Sequence, residues 1–146
     1  MLQQCSRLRV LDNTGGNVLE VIQVLGGRAK VGGIGSTLVG SIKSLRANAA
    51  LANSQGKSAA AAANSKIQRA KRGEVVHAVV VQTKKIIQRK DGSRVRFSDN
   101  ACVLVNGVKN AKTGIVPRGT RITGPIAEEI RKKSLSKLAG LAPMTI

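Results

Sequence analysis

Residues 74–82, EVVHAVVVQ, form an almost unbroken run of apolar and β-branched side chains. Such side chains lose rotamer freedom in a helix but pack well on a pleated surface. Nine residues is also short for a buried helix. A strand wet on one face would alternate apolar with polar residues, so this run predicts a central strand covered on both faces.

The segment that follows, TKKIIQRKDGSRVRF at 83–97, predicts a hairpin. Asp91-Gly92 is expected to supply the two positive φ angles of a two-residue turn. In the returning arm Arg94, Arg96 and Ser98 alternate with Val95 and Phe97, so one face packs and the other is cationic.

Shorter strands are expected at 17–25 and 35–44, bounded by Gly15-Gly16, Gly26-Gly27 and Gly32-Gly33, and at 101–105. A turn at Pro117-Arg118-Gly119 precedes 120–123, where the β-rich part ends. From Pro125 the period becomes helical. Ile126, Ala127 and Ile130 share a face, Glu128 and Glu129 lie in the first turn, and Arg131, Lys132 and Lys133 lie in the last, an order that suits the helix dipole. A second helical stretch at 135–141 packs Leu135, Leu138 and Leu141 back on the sheet. These elements predict one domain over residues 1–146, a small mainly β barrel with short C-terminal α-helices.

Residues 47–66 depart from that pattern. They contain AAAAA at 59–63, with high helix propensity but almost no large apolar residue to anchor a helix. The segment is an Ala-rich insertion, either an exposed helix or a flexible loop. It serves either as tolerated surface decoration or as an extension reaching RNA or protein through Lys57, Lys66 and Arg69.

The chain carries 25 Lys and Arg against 7 Asp and Glu, a formal net charge of +18. A free monomer would repel itself, so a polyanionic partner is expected, and nucleic acid is the first candidate. Between Lys66 and Arg96 there are ten basic residues against Glu74 and Asp91. An ordinary solvated face mixes both signs, so this imbalance points to phosphate binding. Phe97 is the only aromatic residue, which leaves no platform for stacking splayed bases. Recognition is therefore expected to act on folded RNA through phosphates and 2′-hydroxyls.

Other chemistries find little support in the residues. No apolar run approaches the 18 or so residues that cross a bilayer, and no stretch pairs a basic face with one rich in Trp, Phe and Leu, so no membrane partner is expected. Cys5 and Cys102 are far apart and lack metal-ligand spacing, which predicts two reduced thiols with neither disulfide nor metal. His77 stands alone in an apolar strand, where it reads as a satisfied or partly buried histidine and not as a general base. The glycine-rich piece at 32–40 has no Lys-Ser/Thr ending and opens no helix, so it reads as tight turns. Residues 1–10 lack the apolar middle of a secretory signal, and any cleaved presequence is expected to be absent or already removed. No cofactor and no catalytic residues are expected.

LDNTGG at 11–16, VLGG at 24–27, GEVVHAVVVQTKK at 73–85, RKDGSRVRFSDNACVL at 89–104, RGTRITGPIAEEIR at 118–131 and LAPM at 141–144 stand in this order along the chain. Together they resemble the universal large-subunit ribosomal protein L-fourteen family, from the first residues to the last. The resemblance implies a five-stranded β-barrel with a projecting β-hairpin and C-terminal helices, a structural role bound to large-subunit rRNA, and no enzymatic activity. It also implies contact with small-subunit rRNA in an intersubunit bridge, and with the neighbouring large-subunit proteins L-three and L-nineteen.

On this reading rRNA is held by Arg28, Lys30, Lys43, Arg46, Lys71, Arg72, Lys84, Lys85, Arg89, Lys90, Arg94, Arg96, Arg118, Lys132 and Lys133. The family's docking surface for the ribosome-silencing factor falls on Thr120, Arg121 and Lys137. The chain departs from the family at 47–66 and in a longer loop at 106–117, and contacts made there by relatives do not carry over. Such insertions suit a mitochondrial ribosome, with plastid and bacterial ribosomes as the alternatives. The competing classes are a free-standing nucleic-acid-binding module, which composition alone allows, and an enzyme, which would need a convergent set of acid, base or metal-ligand residues.

Overall fold

A computed structural model describes residues 2–26, 30–47, 68–107, 115–132 and 135–146. Five strands form its centre: β1 (Arg7–Val10), β2 (Gly16–Val24), β3 (Thr37–Leu45), β4 (Val75–Gln82) and β7 (Ala101–Asn106). Each pairs antiparallel with the next in the order β1-β2-β3-β4-β7. A parallel pairing of β1 with β7, in register Arg9 with Ala101 and Val10 with Cys102, closes the barrel. Closure leaves these five strands no open edge between them. The short β8 (Val116–Pro117) pairs with β7.

The strands expected at 17–25, 35–44, 74–82 and 101–105 are present, with ends shifted by no more than two residues. β1 is an addition to the expected set. Its sequence alternates Arg7 and Arg9 outward with buried Leu8 and Val10 inward.

Two cores explain why the strand at 74–82 lacks alternation. Leu8, Val10, Leu19, Val21, Leu38, Ile42, Val76, Ala78, Val80, Cys102 and Leu104 fill the barrel. The opposite faces of β4 and β7, with Val79, Val81, Val103 and Val105, are covered from outside by Phe97, Ile122, Ile126, Ile130, Leu135 and Leu138. β4 is thus apolar on both sides because both sides are dry. Burying each large aliphatic side chain in either core stabilises the fold by about 1.5–3 kcal/mol.

Register shifts between Val21 and Gln23 and between Val80 and Gln82 bend the strands, as bulges do where a small barrel must curve. At Gly40 the strands approach so closely that an added Cβ would lie 2.7 Å from the Glu20 carbonyl oxygen and 2.8 Å from Leu19 Cγ. Only glycine fits there.

Asp12, fully buried just past β1, ties that strand to β7. It accepts hydrogen bonds from the Leu104 N–H at 2.8 Å, from the Thr14 N–H at 3.0 Å and from the Thr14 hydroxyl. Burial pushes its carboxyl above the usual value of 3.8, although these bonds and the Arg46 charge pull the other way. Arg46 Nη2 in turn donates to the Val10 carbonyl oxygen at 2.8 Å.

The hairpin is present as a separate two-stranded ribbon, β5 (Ile87–Gln88) with β6 (Arg94–Val95). Its turn corrects the expectation of two positive φ angles. Only Gly92 has one, at 85°. Arg89 N–H donates to the Ser93 carbonyl oxygen at 2.9 Å, which encloses the three residues Lys90 to Gly92. Asp91 instead turns its carboxylate back to accept from the Ser93 N–H and hydroxyl, which spares it the left-handed conformation.

The helix expected from Pro125 starts later. α1 spans Glu129–Lys132, whereas Ile126 is extended and bridges Thr145 in parallel. Ile126 N–H donates to the Met144 carbonyl oxygen at 3.0 Å, and Ala127 N–H to that of Val81 at 3.3 Å. The backbone at 126–127 therefore takes inter-segment bonds that a helix would forgo, while Ile126, Ala127 and Ile130 remain buried as expected. α2 spans Ser136–Ala139, with Leu135 and Leu138 buried and Leu141 packed against the same core. Most of the Ala-rich segment at 47–66 and of the loop at 106–117 lies outside the described residues.

Candidate RNA-binding surface

Charge is separated on this molecule by what the acidic side chains do. Asp12 is consumed inside the fold and Asp91 in the hairpin turn. Glu20 pairs with Arg7 at 3.6 Å and Lys43 at 3.8 Å, and Asp99 with Arg9 at 3.6 Å and Lys84 at 3.7 Å. Glu74 accepts from Arg118 Nη2 at 2.7 Å, and Glu129 from Arg89 Nε at 2.8 Å. The cations left over are exposed. Lys30, Lys71, Arg72, Lys85, Lys90, Arg94, Arg96 and Arg121 form no ion pair among the described residues.

The hairpin concentrates this surplus. Val95 and Phe97 turn inward, Phe97 into the outer core, while Arg94 and Arg96 turn out beside Lys90 at the turn and Lys84 and Lys85 at the root. Here the alternation read in the sequence holds. Guanidinium groups presented this way can fork onto phosphate oxygens, and the ammonium groups add point charges.

Two of the expected RNA-binding arginines are engaged within the fold. The Arg89 side chain is only 17% exposed and the Arg118 side chain 12%. Arg89 joins the hairpin to Glu129, and Arg118 joins the segment after β8 to Glu74 and to the Arg69 carbonyl oxygen. Arg46 is half-buried over Val10. Lys43 is exposed and near Glu20. Arg28 and Lys133, and the side chain of Lys132, lie outside the described residues.

Thr120, Arg121 and Lys137 are all exposed. Asn13 fixes the first of them. Its Oδ1 accepts from the Thr120 N–H at 2.9 Å and its Nδ2 donates to the Thr120 hydroxyl at 2.9 Å. A Cβ on Gly119 would lie 2.6 Å from Asn13 Oδ1, so the LDNTGG and RGTRI segments are built against each other.

Arg7 and Arg9 stand outside the expected set and belong to this surface. The alternation in RLRV at 7–10 carries that signal. They line, with Lys84 and Asp99, a hollow of about 370 Å³ on the barrel wall.

Among the described residues the candidate catalytic groups do not converge. His77 is half-buried with Nδ1 lacking a partner, Cys102 is buried with its thiol pushed well up by burial, and Cys5 is exposed. Among the described residues no three His, Cys, Asp or Glu side chains cluster as metal ligands, and no helix is long and apolar enough to cross a membrane.

Known proteins bear on this surface. The family described as Ribosomal protein L14p/L23e matches residues 1–146. Large ribosomal subunit protein uL14 of Petrotoga mobilis is 42% identical over 143 residues, covering 97% of this chain and 97% of its own. A match of that extent, on a closed five-stranded barrel with two short helices among the described residues, places the chain in the L14p/L23e family of ribosomal proteins.

Proposed function

We propose that the chain binds large-subunit rRNA as an architectural component of the large ribosomal subunit, and catalyses no reaction. The carrying observation is the set of exposed hairpin cations that form no ion pair among the described residues, Lys85, Lys90, Arg94 and Arg96, set against acids that are engaged by other groups. Lys71, Arg72 and Lys30 extend it, and Lys84 adds an exposed cation shared with Asp99 at 3.7 Å. These side chains neutralise neighbouring phosphates and release counterions, while the barrel holds them in place. Arg89 and Arg118 act by fixing the surface, and the rest of the expected set extends it across residues 1–146, one domain with an Ala-rich insertion at 47–66.

In the assembled particle the same protein contacts small-subunit rRNA in an intersubunit bridge and packs beside L-three and L-nineteen. The silencing factor docks on Thr120, Arg121 and Lys137, with Thr120 held ready by Asn13. The insertions favour a mitochondrial ribosome. The bacterial relative keeps a bacterial ribosome as the alternative.

Sedimentation of tagged protein from its native cells through sucrose gradients at low and high salt, with sequencing of the bound RNA, tests these statements. Co-migration with the large subunit and mitochondrial rRNA is the expected result. Bacterial or plastid rRNA in that fraction would move the compartment, and a free or DNA-bound pool would replace the ribosomal role with an independent binding module.

A further inference from the structure

The hollow on the barrel wall has a composition that phosphate binding alone does not explain. Arg7 and Arg9 stand two residues apart on the outer face of β1 and line it, together with Lys84 from the hairpin root. Set among these cations is Asp99, which would repel a bare phosphate. Its oxygens lie 3.6 Å from Arg9 Nη1 and 3.7 Å from Lys84 Nζ. Both separations exceed hydrogen-bond length, so the carboxylate keeps lone pairs to offer a ligand. Asn100, also in the lining, accepts the Lys84 N–H on Oδ1 at 2.9 Å, which leaves its NH2 to donate. Val18, paired with Arg9 across the β1–β2 ladder, adds apolar wall.

A ligand matching this lining is anionic at one end and, at the other, a flat group with apolar faces and an N–H donor. The volume, about 370 Å³, lies within the range of sites that hold one small organic group. We propose that the hollow takes a single extruded nucleotide of the bound RNA. Arg7 and Arg9 hold its phosphate, and the exocyclic amino group of its base donates to Asp99. A guanidinium plane can also cover the base face, the part an aromatic ring plays elsewhere and which Phe97, buried in the outer core, cannot play here. The inference rests on the RNA-binding function proposed above and adds to it a base preference, since cytosine carries the amino group and uracil does not.

The test uses the full-length chain labelled with nitrogen-15 and titrated at low salt with cytidine 5′-monophosphate, uridine 5′-monophosphate or ribose 5-phosphate. Cytidine monophosphate is expected to shift the amides of Arg7, Arg9, Val18, Asp99 and Asn100, and to bind about fivefold tighter than uridine monophosphate, the effect of one hydrogen bond. Asp99→Ala should abolish that preference without unfolding the chain, because its ion pairs are long and exposed. The Arg7→Ala, Arg9→Ala double variant should weaken both nucleotides about tenfold. Equal shifts with ribose 5-phosphate, shifts spread over Lys71, Arg72 and the hairpin, or no shifts at all would overturn the inference. Co-sedimentation with large-subunit rRNA is scored separately. Binding to rRNA without a nucleotide in the hollow defeats only this inference, whereas loss of rRNA binding defeats the function beneath it.

Discussion

Arg89 and Glu129, 40 residues apart in sequence, join the hairpin to the first C-terminal helix. Arg89 Nε donates to Glu129 Oε1 at 2.8 Å and Nη2 to Glu129 Oε2 at 3.3 Å, while Nη2 also donates to the Ile146 carbonyl oxygen at 2.6 Å. The carboxylate holds the guanidinium pKa above its usual value, chiefly through these hydrogen bonds. Glu129→Gln keeps the side-chain shape but removes the charge that makes the fork strong. The hairpin should loosen while the barrel does not. Hydrogen exchange would show faster exchange at the Ile87 and Val95 amides, with Val80 and Leu104 unchanged. Unaltered exchange in the hairpin would mean that packing of Val95 and Phe97 alone holds it.

Gly40 is a packing position of the barrel, not a turn. The Cβ of Gly40→Ala would meet backbone at Glu20 and the Leu19 side chain inside contact distance. Neither can withdraw, since Leu19 is fully buried and Glu20 is paired across β1 and β3. Overpacking of this kind costs about 1–3 kcal/mol. Gly33→Ala is the control, because nothing lies within 4 Å of the added atom. Thermal unfolding should show a lower midpoint for the first variant and little change for the second. Equal midpoints would show that β2 and β3 can separate at no cost.

Asp12 makes a pH dependence of defined sign. Its folded-state carboxyl lies above the usual 3.8 because it is buried, so the native chain holds that proton more tightly than the unfolded chain. The stability this contributes is complete below the unfolded value and is lost as pH rises through the folded one. Asp12→Asn removes the titration and sets an NH2 group against the Leu104 or Thr14 N–H, at about 1–3 kcal/mol. Denaturant unfolding of both proteins from acid to neutral pH should show the advantage of the native residue shrinking as pH rises. An advantage that grows with pH would mean that the three donors outweigh burial.

The strand at 74–82 was legible because a run dry on both faces has a sequence signature of its own. The cationic arm of the hairpin was legible from Arg94, Val95, Arg96 and Phe97 for the same kind of reason. What escaped is non-local. Nothing near Ile126 announces that its backbone will bridge Thr145 in place of starting a helix. Nor does anything near Arg89 and Arg118 announce the ion pairs that Glu129 and Glu74 bring from distant segments. β1 is the exception, since its alternation lay open in RLRV. Asp91 departs from expectation for a local reason, because its side chain caps Ser93 and so relieves the backbone of a second positive φ.

The hairpin cations can be tested apart from the residues that fix them. Lys85, Lys90, Arg94 and Arg96 are exposed and without ion pairs among the described residues, so changing all four to Ala should leave both cores intact. Arg89 must stay, since its loss would release the hairpin and confuse missing charge with missing position. Affinity for protein-free large-subunit rRNA, measured across a series of salt concentrations, should fall for this variant. The slope of log K against log salt should become shallower by roughly three if each side chain meets one phosphate, because a phosphate that no cation neutralises keeps its condensed counterions. A lower affinity with an unchanged slope would mean that the four residues shape the hairpin without touching phosphate, and an unchanged affinity would remove the hairpin from the RNA interface.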